Sequence, residues 1–166
     1  MIYAGVGSRK SPAEVIQLME KIARRLAVLG WTLRSGGAEG ADQAFESGAR
    51  ARGGDVEIYA PWPGYHPNPI LSRPHPKAYE LAREVHPRWE GLSRGVQALM
   101  ARNSHQILGP NLDDPVKMLV CWTPGGEVVG GTGQAIRLAQ KFGVPVINLA
   151  IPGALERIGE IVRGSR

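Results

Sequence analysis

The sequence predicts an α/β protein, a Rossmann-like three-layer sandwich built on a mainly parallel sheet. Short apolar runs of strand length alternate with longer segments whose apolar residues recur at helical spacing. The connections between them are short, and glycine-rich turns follow directly on several of the apolar runs. With 166 residues, 43% of them hydrophobic, the chain can bury one sizeable core but hardly two. One domain spanning residues 1–166 is therefore expected.

The elements follow in order. Met1 to Val6 reads as a short buried strand, and Gly7-Ser8-Arg9-Lys10 turns the chain toward a helix. Ser11-Pro12-Ala13-Glu14 has the form of a capping box with proline at the first helical position. Val15, Met19, Ile22, Leu26 and Leu29 then mark one apolar stripe, and Gly30 ends the helix. Trp31 to Arg34 is a second strand. A glycine-rich turn, Ser35 to Asp42, leads into a helix with Ala44, Phe45, Gly48 and Ala49 on its inner side, and Val56 to Ala60 is the third strand. This alternation implies right-handed crossovers. Residues 61–76 hold six prolines in sixteen positions, which excludes helix and central strand and predicts an extended surface loop. Lys77 to Arg102 reads as helix broken near His86-Pro87. Lys117 to Trp122 is another strand, Gly131 to Phe142 a helix ended by Gly143, Val144 to Leu149 a further strand, and Ala154 to Val162 a last helix.

Three glycine-rich turns carry the functional signal: Gly5-Val6-Gly7-Ser8-Arg9; Ser35-Gly36-Gly37-Ala38-Glu39-Gly40-Ala41-Asp42; and Thr123-Pro124-Gly125-Gly126 with Gly130-Gly131-Thr132-Gly133-Gln134. In an open parallel sheet such turns gather along one edge, where ligands bind. Glycine lets backbone N–H groups approach a phosphate, and helices beginning after Gly40 and Gly131 add the positive ends of their dipoles. Any single turn is better explained as a tight connection, and it is the three together that point to a ligand. None matches a Walker A loop or a Gly-x-Gly-x-x-Gly helix start, so ATP hydrolysis and ordinary NAD-dependent redox chemistry lose weight.

As an ordered set these residues resemble the DprA/Smf branch of the SLOG superfamily, in particular its short stand-alone forms from phage and mobile-element genomes. The similarity rests on Gly7-Ser8-Arg9, on Ser35-Gly36-Gly37-Ala38 with Gly40 and Asp42, on Arg102-Asn103 before Gln106-Ile107-Leu108-Gly109, and on Gly130-Gly131-Thr132-Gly133. The resemblance implies a pocket for nucleotide phosphates, those of single-stranded DNA in DprA and those of small nucleotide-derived ligands in other branches. It also implies homo-oligomers. The related Lonely-guy phosphoribohydrolases carry Pro-Gly-Gly-x-Gly-Thr-x-x-Glu with a catalytic glutamate. Here extra residues separate Pro124-Gly125-Gly126 from Gly131-Thr132, and Ala135 stands where that glutamate would be, so binding without catalysis is expected.

Among single side chains, Arg9 is either a charge-assisted phosphate contact or an ordinary solvated arginine, and Arg102 and Asn103 either touch phosphate or form a polar helix end. Asp42 either accepts from a ribose hydroxyl or stabilises the first turn of its own helix. Gln134 can hydrogen-bond a ribose or base but cannot act as a general base. Trp62 and Tyr65 either stack on a base or pack against the domain. His66, His75, His86 and His105 lack metal-ligand spacing, so no metal is expected. The lone Cys121, in an apolar run, reads as a buried hydrophobe rather than a nucleophile and argues against disulfides.

Twenty Lys+Arg against fifteen Asp+Glu leave a net charge of +5, which favours anionic partners without demanding nucleic acid. No apolar run is long enough to span a membrane and the N-terminus lacks the layout of a secretion signal, so a cytoplasmic location is expected. Two ligand-binding functions remain beside a purely architectural protein whose glycines are only turns: a non-catalytic binder of single-stranded DNA, or a sensor, sponge or processing enzyme for a small nucleotide such as an ADP-ribose-like molecule or a nucleoside monophosphate. Neither ligand-binding function requires a cofactor, and the second allows a nucleotide to co-purify.

Overall fold

The computed structural model describes residues 1–166. Five strands form one sheet: β1 (Ile2–Gly5), β2 (Thr32–Ser35), β3 (Val56–Ile58), β4 (Leu119–Cys121) and β5 (Val146–Asn148). All pairings are parallel, in the order β3-β2-β1-β4-β5, with Tyr3 beside Leu33 and Ala4 beside Leu119. The expected α/β class holds, and the sheet is parallel throughout. Six helices cover it: α1 (Ala13–Val28), α2 (Ala41–Arg50), α3 (Pro76–Val85), α4 (Arg94–Leu108), α5 (Gly130–Lys141) and α6 (Ala154–Gly164).

Alternation along each strand sorts the helices into two outer layers. Tyr3, Leu33 and Val120 point toward α1, α2 and α6, in a core with Met19, Leu26, Phe45 and Ile158. Ala4, Leu119 and Cys121 point the other way, toward α4 and α5, with Ile107, Ile136 and Leu138. Helix α3 lies outside α4, joined through Ala78, Ala82, Met100 and Ala101. Helices α1 and α2 approach closely at Gly48, where a β-carbon would lie 2.3 Å from the Glu20 carbonyl oxygen. The chain leaves β1 toward β2 on one side and later returns to β4 on the other. The carboxyl ends of β1 and β4 therefore open onto the crevice that such a reversal creates.

Several local expectations are corrected. The capping box at Ser11 does not form: Pro12 is the N-cap, and the Ser11 hydroxyl donates to the Ser8 carbonyl at 2.6 Å. The local turn takes the hydroxyl before the helix can use it. Gly30 does end α1, with φ +83° and the Gly30 and Trp31 N–H groups donating to Ala27 and Leu26. The helix expected to finish at Arg102 runs on to Leu108, so Arg102 and Asn103 are mid-helix and buried rather than a polar end. The proline-rich segment is turns rather than extended chain. It is not wholly superficial either: Pro61 and Pro74 are buried, and Leu71 returns to bridge Tyr59 beside β3. The break at His86 falls as expected, between α3 and a short turn at Trp89–Gly91. No helix is long and apolar enough to cross a membrane.

Candidate functional site

A cleft of about 520 Å³ opens at the carboxyl ends of β1 and β4. One wall is the turn after β1. Val6 and Ser8 donate from their N–H groups to Val120 and Trp122, which pins the turn along β4. The Ser8 carbonyl receives both the Ser11 N–H and hydroxyl, and its own hydroxyl accepts from the Lys10 N–H. Gly7, Ser8, Arg9 and Lys10 line the cleft. Arg9 and Lys10 are exposed, and neither takes part in an ion pair.

The opposite wall is the start of α5, with Val129, Gly130, Gly131, Thr132 and Ala135 lining the cleft. Val129 is the N-cap and supplies no side-chain acceptor. The first intrahelical bond runs from Gly133 to Val129, so the N–H groups of Gly130, Gly131 and Thr132 have no backbone acceptor. Together with the α5 dipole they present positive potential to the cleft.

Helix α4 forms the floor with Leu99, Met100, Arg102, Asn103 and Gln106, one face of the helix. Arg102 Nη1 donates to the carbonyls of Gly36 at 2.6 Å and Tyr59 at 3.3 Å, while Nε donates to Asn103 Oδ1 at 3.3 Å. With its carboxamide oxygen facing the donors, Gln106 accepts from Arg102 Nε at 3.0 Å and from the Gly36 N–H at 3.2 Å. Asn103 Nδ2 donates to the Gly131 carbonyl at 3.1 Å. Adjacent residues of one helix thus tie the second glycine turn and the α5 start to the same floor. Arg102 also lies 5.6 Å from the centre of the Tyr65 ring, which lines the rim.

Asp42, in the first turn of α2, is 5% exposed, and its Oδ2 accepts from the Ala38 N–H at 3.2 Å. Burial pushes its carboxyl up to about 6. The Arg102 charge and the N–H groups of Ala38 and Gly36 pull the other way.

Of the residues singled out in the sequence, Gly7, Ser8, Arg9, Ala38, Asp42, Tyr65, Arg102, Asn103, Gly131 and Thr132 line this cleft. The others support it or lie elsewhere. The Ser35 hydroxyl donates to the Gly5 carbonyl at 2.6 Å, which closes β2 onto β1. A β-carbon on Gly36 would lie 2.4 Å from Gln106 Nε2 and 2.5 Å from Arg102 Nη1, so the α4 side chains reach the turn only because this residue is glycine. Gly37 sits under the His66 ring, and Gly40 is the N-cap of α2. Gly125 and Gly126 form a tight turn beside Ile151, off the cleft. Gly133 packs on the Val128 backbone. Gln134, expected to reach a ribose or base, is instead fully buried, with Nε2 donating to Ala82 in α3 and Oε1 accepting from Arg137. Helical rotation turns it away from Gly131 and Ala135. Trp62 is 41% exposed and packs edge-on to Tyr65 at 5.4 Å without lining the cleft.

Lys10, which carried no expected role, belongs to the cleft, as do Gln106 and Gly130, which were named only as parts of longer motifs. Gln106 lies four positions after Arg102, a signal that becomes readable once the helix is continued past Arg102.

No protein-family model matches the chain, and no curated protein sequence matches it significantly. Solved structures do. The protein TM1055 superposes with a TM-score of 0.56 at 21% identity, over 87% of this chain and 71% of that one. The molybdenum cofactor carrier protein of Chlamydomonas reinhardtii gives 0.54 at 18% identity, over 98% and 86%. DNA processing protein A of Helicobacter pylori, described with a single-stranded DNA binding mode, gives 0.57 at 18% identity, over 89% and 64%. What these proteins share with this chain is the Rossmann-like fold.

Proposed function

We propose that the cleft binds a phosphate-bearing nucleotide unit, with the phosphate between the Gly7–Lys10 turn and the first turn of α5. The observation that carries this reading is the pairing of three N–H groups without a backbone acceptor, at Gly130, Gly131 and Thr132, with the unpaired Arg9 and Lys10 in one cleft. Backbone donors at a helix start and charge-assisted side chains are the two standard means of holding phosphate. Ala135 presents only a methyl group where the resembling hydrolases hold a glutamate, which supports binding rather than their chemistry.

Single-stranded DNA is the source of that nucleotide that the net charge of +5 and the Trp62–Tyr65 pair support. A neighbour of the same fold has a described single-stranded DNA binding mode. A free small nucleotide is the second reading, favoured by a cleft volume of about 520 Å³, which falls within the usual range for small-molecule sites.

Fluorescence anisotropy separates the two. With labelled single strands of about 5, 15 and 30 nucleotides at about 50 and 200 mM salt, strand binding gives affinity that grows with length and falls steeply with salt. Native mass spectrometry of the purified protein completes the test. A stoichiometric co-purified nucleotide together with weak, length-independent strand binding overturns the DNA assignment in favour of the small ligand.

A further inference from the structure

Asp42 is the only carboxylate among the residues lining the cleft, and it sits in a site whose other charges are Arg9, Lys10 and Arg102. Keeping an ionised carboxylate buried is costly unless it is paired, and Asp42 has no ion-pair partner. Arg102 acts on it only at longer range, because Nη1 and Nε are committed to Gly36, Tyr59 and Asn103. Arg102 Nη2 donates to nothing in the chain. The floor therefore offers an acceptor from α2 and a free donor from α4, while the phosphate-binding groups occupy the two walls.

We infer that Asp42 accepts a hydrogen bond from a neutral donor on the ligand, a sugar hydroxyl or an exocyclic amine, and thereby selects nucleotides over bare phosphate. The inference rests on the nucleotide reading given above and adds its selectivity. A carboxylate repels a second anion, so it discriminates against inorganic phosphate lodged deep in the cleft. It rewards a ligand whose phosphate stays at the walls and whose uncharged part reaches the floor. A charge-assisted bond of this kind raises affinity by about tenfold or more.

Isothermal titration of the whole chain with inorganic phosphate and with AMP tests this, in wild type and in Asp42→Asn, with thermal melting to confirm folding. The expected result is that the preference for AMP over phosphate falls about tenfold in the variant. A second arm needs no variant: wild type is titrated with 2′-deoxy-AMP, 3′-deoxy-AMP and purine riboside 5′-monophosphate. One of these is expected to bind about tenfold more weakly than AMP, and which one it is identifies a hydroxyl or the amine as the donor. An unchanged preference in a folded Asp42→Asn, or all three analogues within about twofold of AMP, overturns the role of Asp42 and leaves phosphate binding standing. A wild-type protein that binds neither phosphate nor AMP overturns this inference, and one that also fails to bind the labelled single strands overturns the nucleotide reading with it.

Discussion

Arg102 Nη1 donates to the Gly36 carbonyl at 2.6 Å, a bond that spans 66 residues of chain and fastens α4 beneath the glycine turn that follows β2. The same guanidinium reaches Tyr59 and Asn103 and lies against Tyr65, so one buried side chain joins β3, the proline-rich segment and the cleft floor. Hydrogen bonds to a charged group contribute about 1.5–3 kcal/mol each, and those partners are left buried when the group is removed. Arg102→Met is therefore expected to cost about 3 kcal/mol in urea unfolding. Arg102→Lys should restore little of it, because an ammonium lacks the planar fork that serves several acceptors at once. Full stability in Arg102→Met would show that the turn holds without this strap.

Arg9 behaves oppositely. It is exposed and unpaired, so Arg9→Ala should change stability by no more than about 0.5 kcal/mol. Binding of a short single strand should weaken, and the slope of log affinity against log salt should fall by about 1. Anisotropy titrations at several salt concentrations measure both. An unchanged slope would remove Arg9 from the phosphate contacts.

His105 makes stability depend on pH. It is fully buried and stacked on Tyr59, with Nδ1–H donating to the Gly109 carbonyl and Nε2 accepting from the His75 N–H. Both nitrogens are committed to the neutral ring. Burial, and to a lesser extent the nearby His75, hold its pKa below 6.5, while the Gly109 bond acts the other way. The unfolded chain therefore takes up the proton first, so this contribution is intact above pH 6.5 and is lost as the pH falls below it. Asp42 has the opposite sign: its folded value of about 6 exceeds the ordinary 3.8, so acid between those values relieves the cost of burying it. Proton NMR of His105 is expected to show a midpoint below that of an exposed histidine. A midpoint above 6.5 would contradict the neutral, doubly bonded ring.

Gly48→Ala should destabilise the protein although alanine is the better helix former. The propensity gain is about 1 kcal/mol. The added methyl meets the Glu20 carbonyl oxygen at 2.3 Å, and helix backbone cannot yield as a flexible side chain does. Overpacking costs of about 1–3 kcal/mol win, so the thermal midpoint should fall. A raised midpoint would mean that α1 and α2 separate freely.

Cys121 lies at the carboxyl end of β4, fully buried, and its thiol is pushed up to about 12 by burial. A thiol-specific reagent at neutral pH is expected to react only as fast as the chain unfolds. Fast modification of the native protein would contradict its placement in β4.

Much of this architecture was written in local pattern. The stripe from Met19 to Leu26, the stop at Gly30 and the apolar run around Cys121 each follow from residues within one or two turns of one another. The crevice was legible too, because glycine turns after parallel strands must meet along one edge. Which side chains face it was less so. Gln134 and Thr132 are two positions apart, yet the first is locked into α3 and the second lines the cleft. Ser11 was a sound N-cap by type but was taken by the Ser8 carbonyl.

Arg34 shows the same limit most plainly. It read as one residue of a strand, but it is buried and bonded to Glu57 at 2.7 Å and to both the carbonyl and carboxylate of Asp114, 80 residues away. Sequence alone determined the fold class, the order of elements and the edge where the candidate cleft opens, since periodicity and turn chemistry act over a few residues. Tertiary structure decided that Arg102 is a strap, that Asp42 is a buried acceptor in the cleft and that Gln134 faces away. Those roles depend on partners brought together from distant parts of the chain, and a buried polar group is defined by what satisfies it.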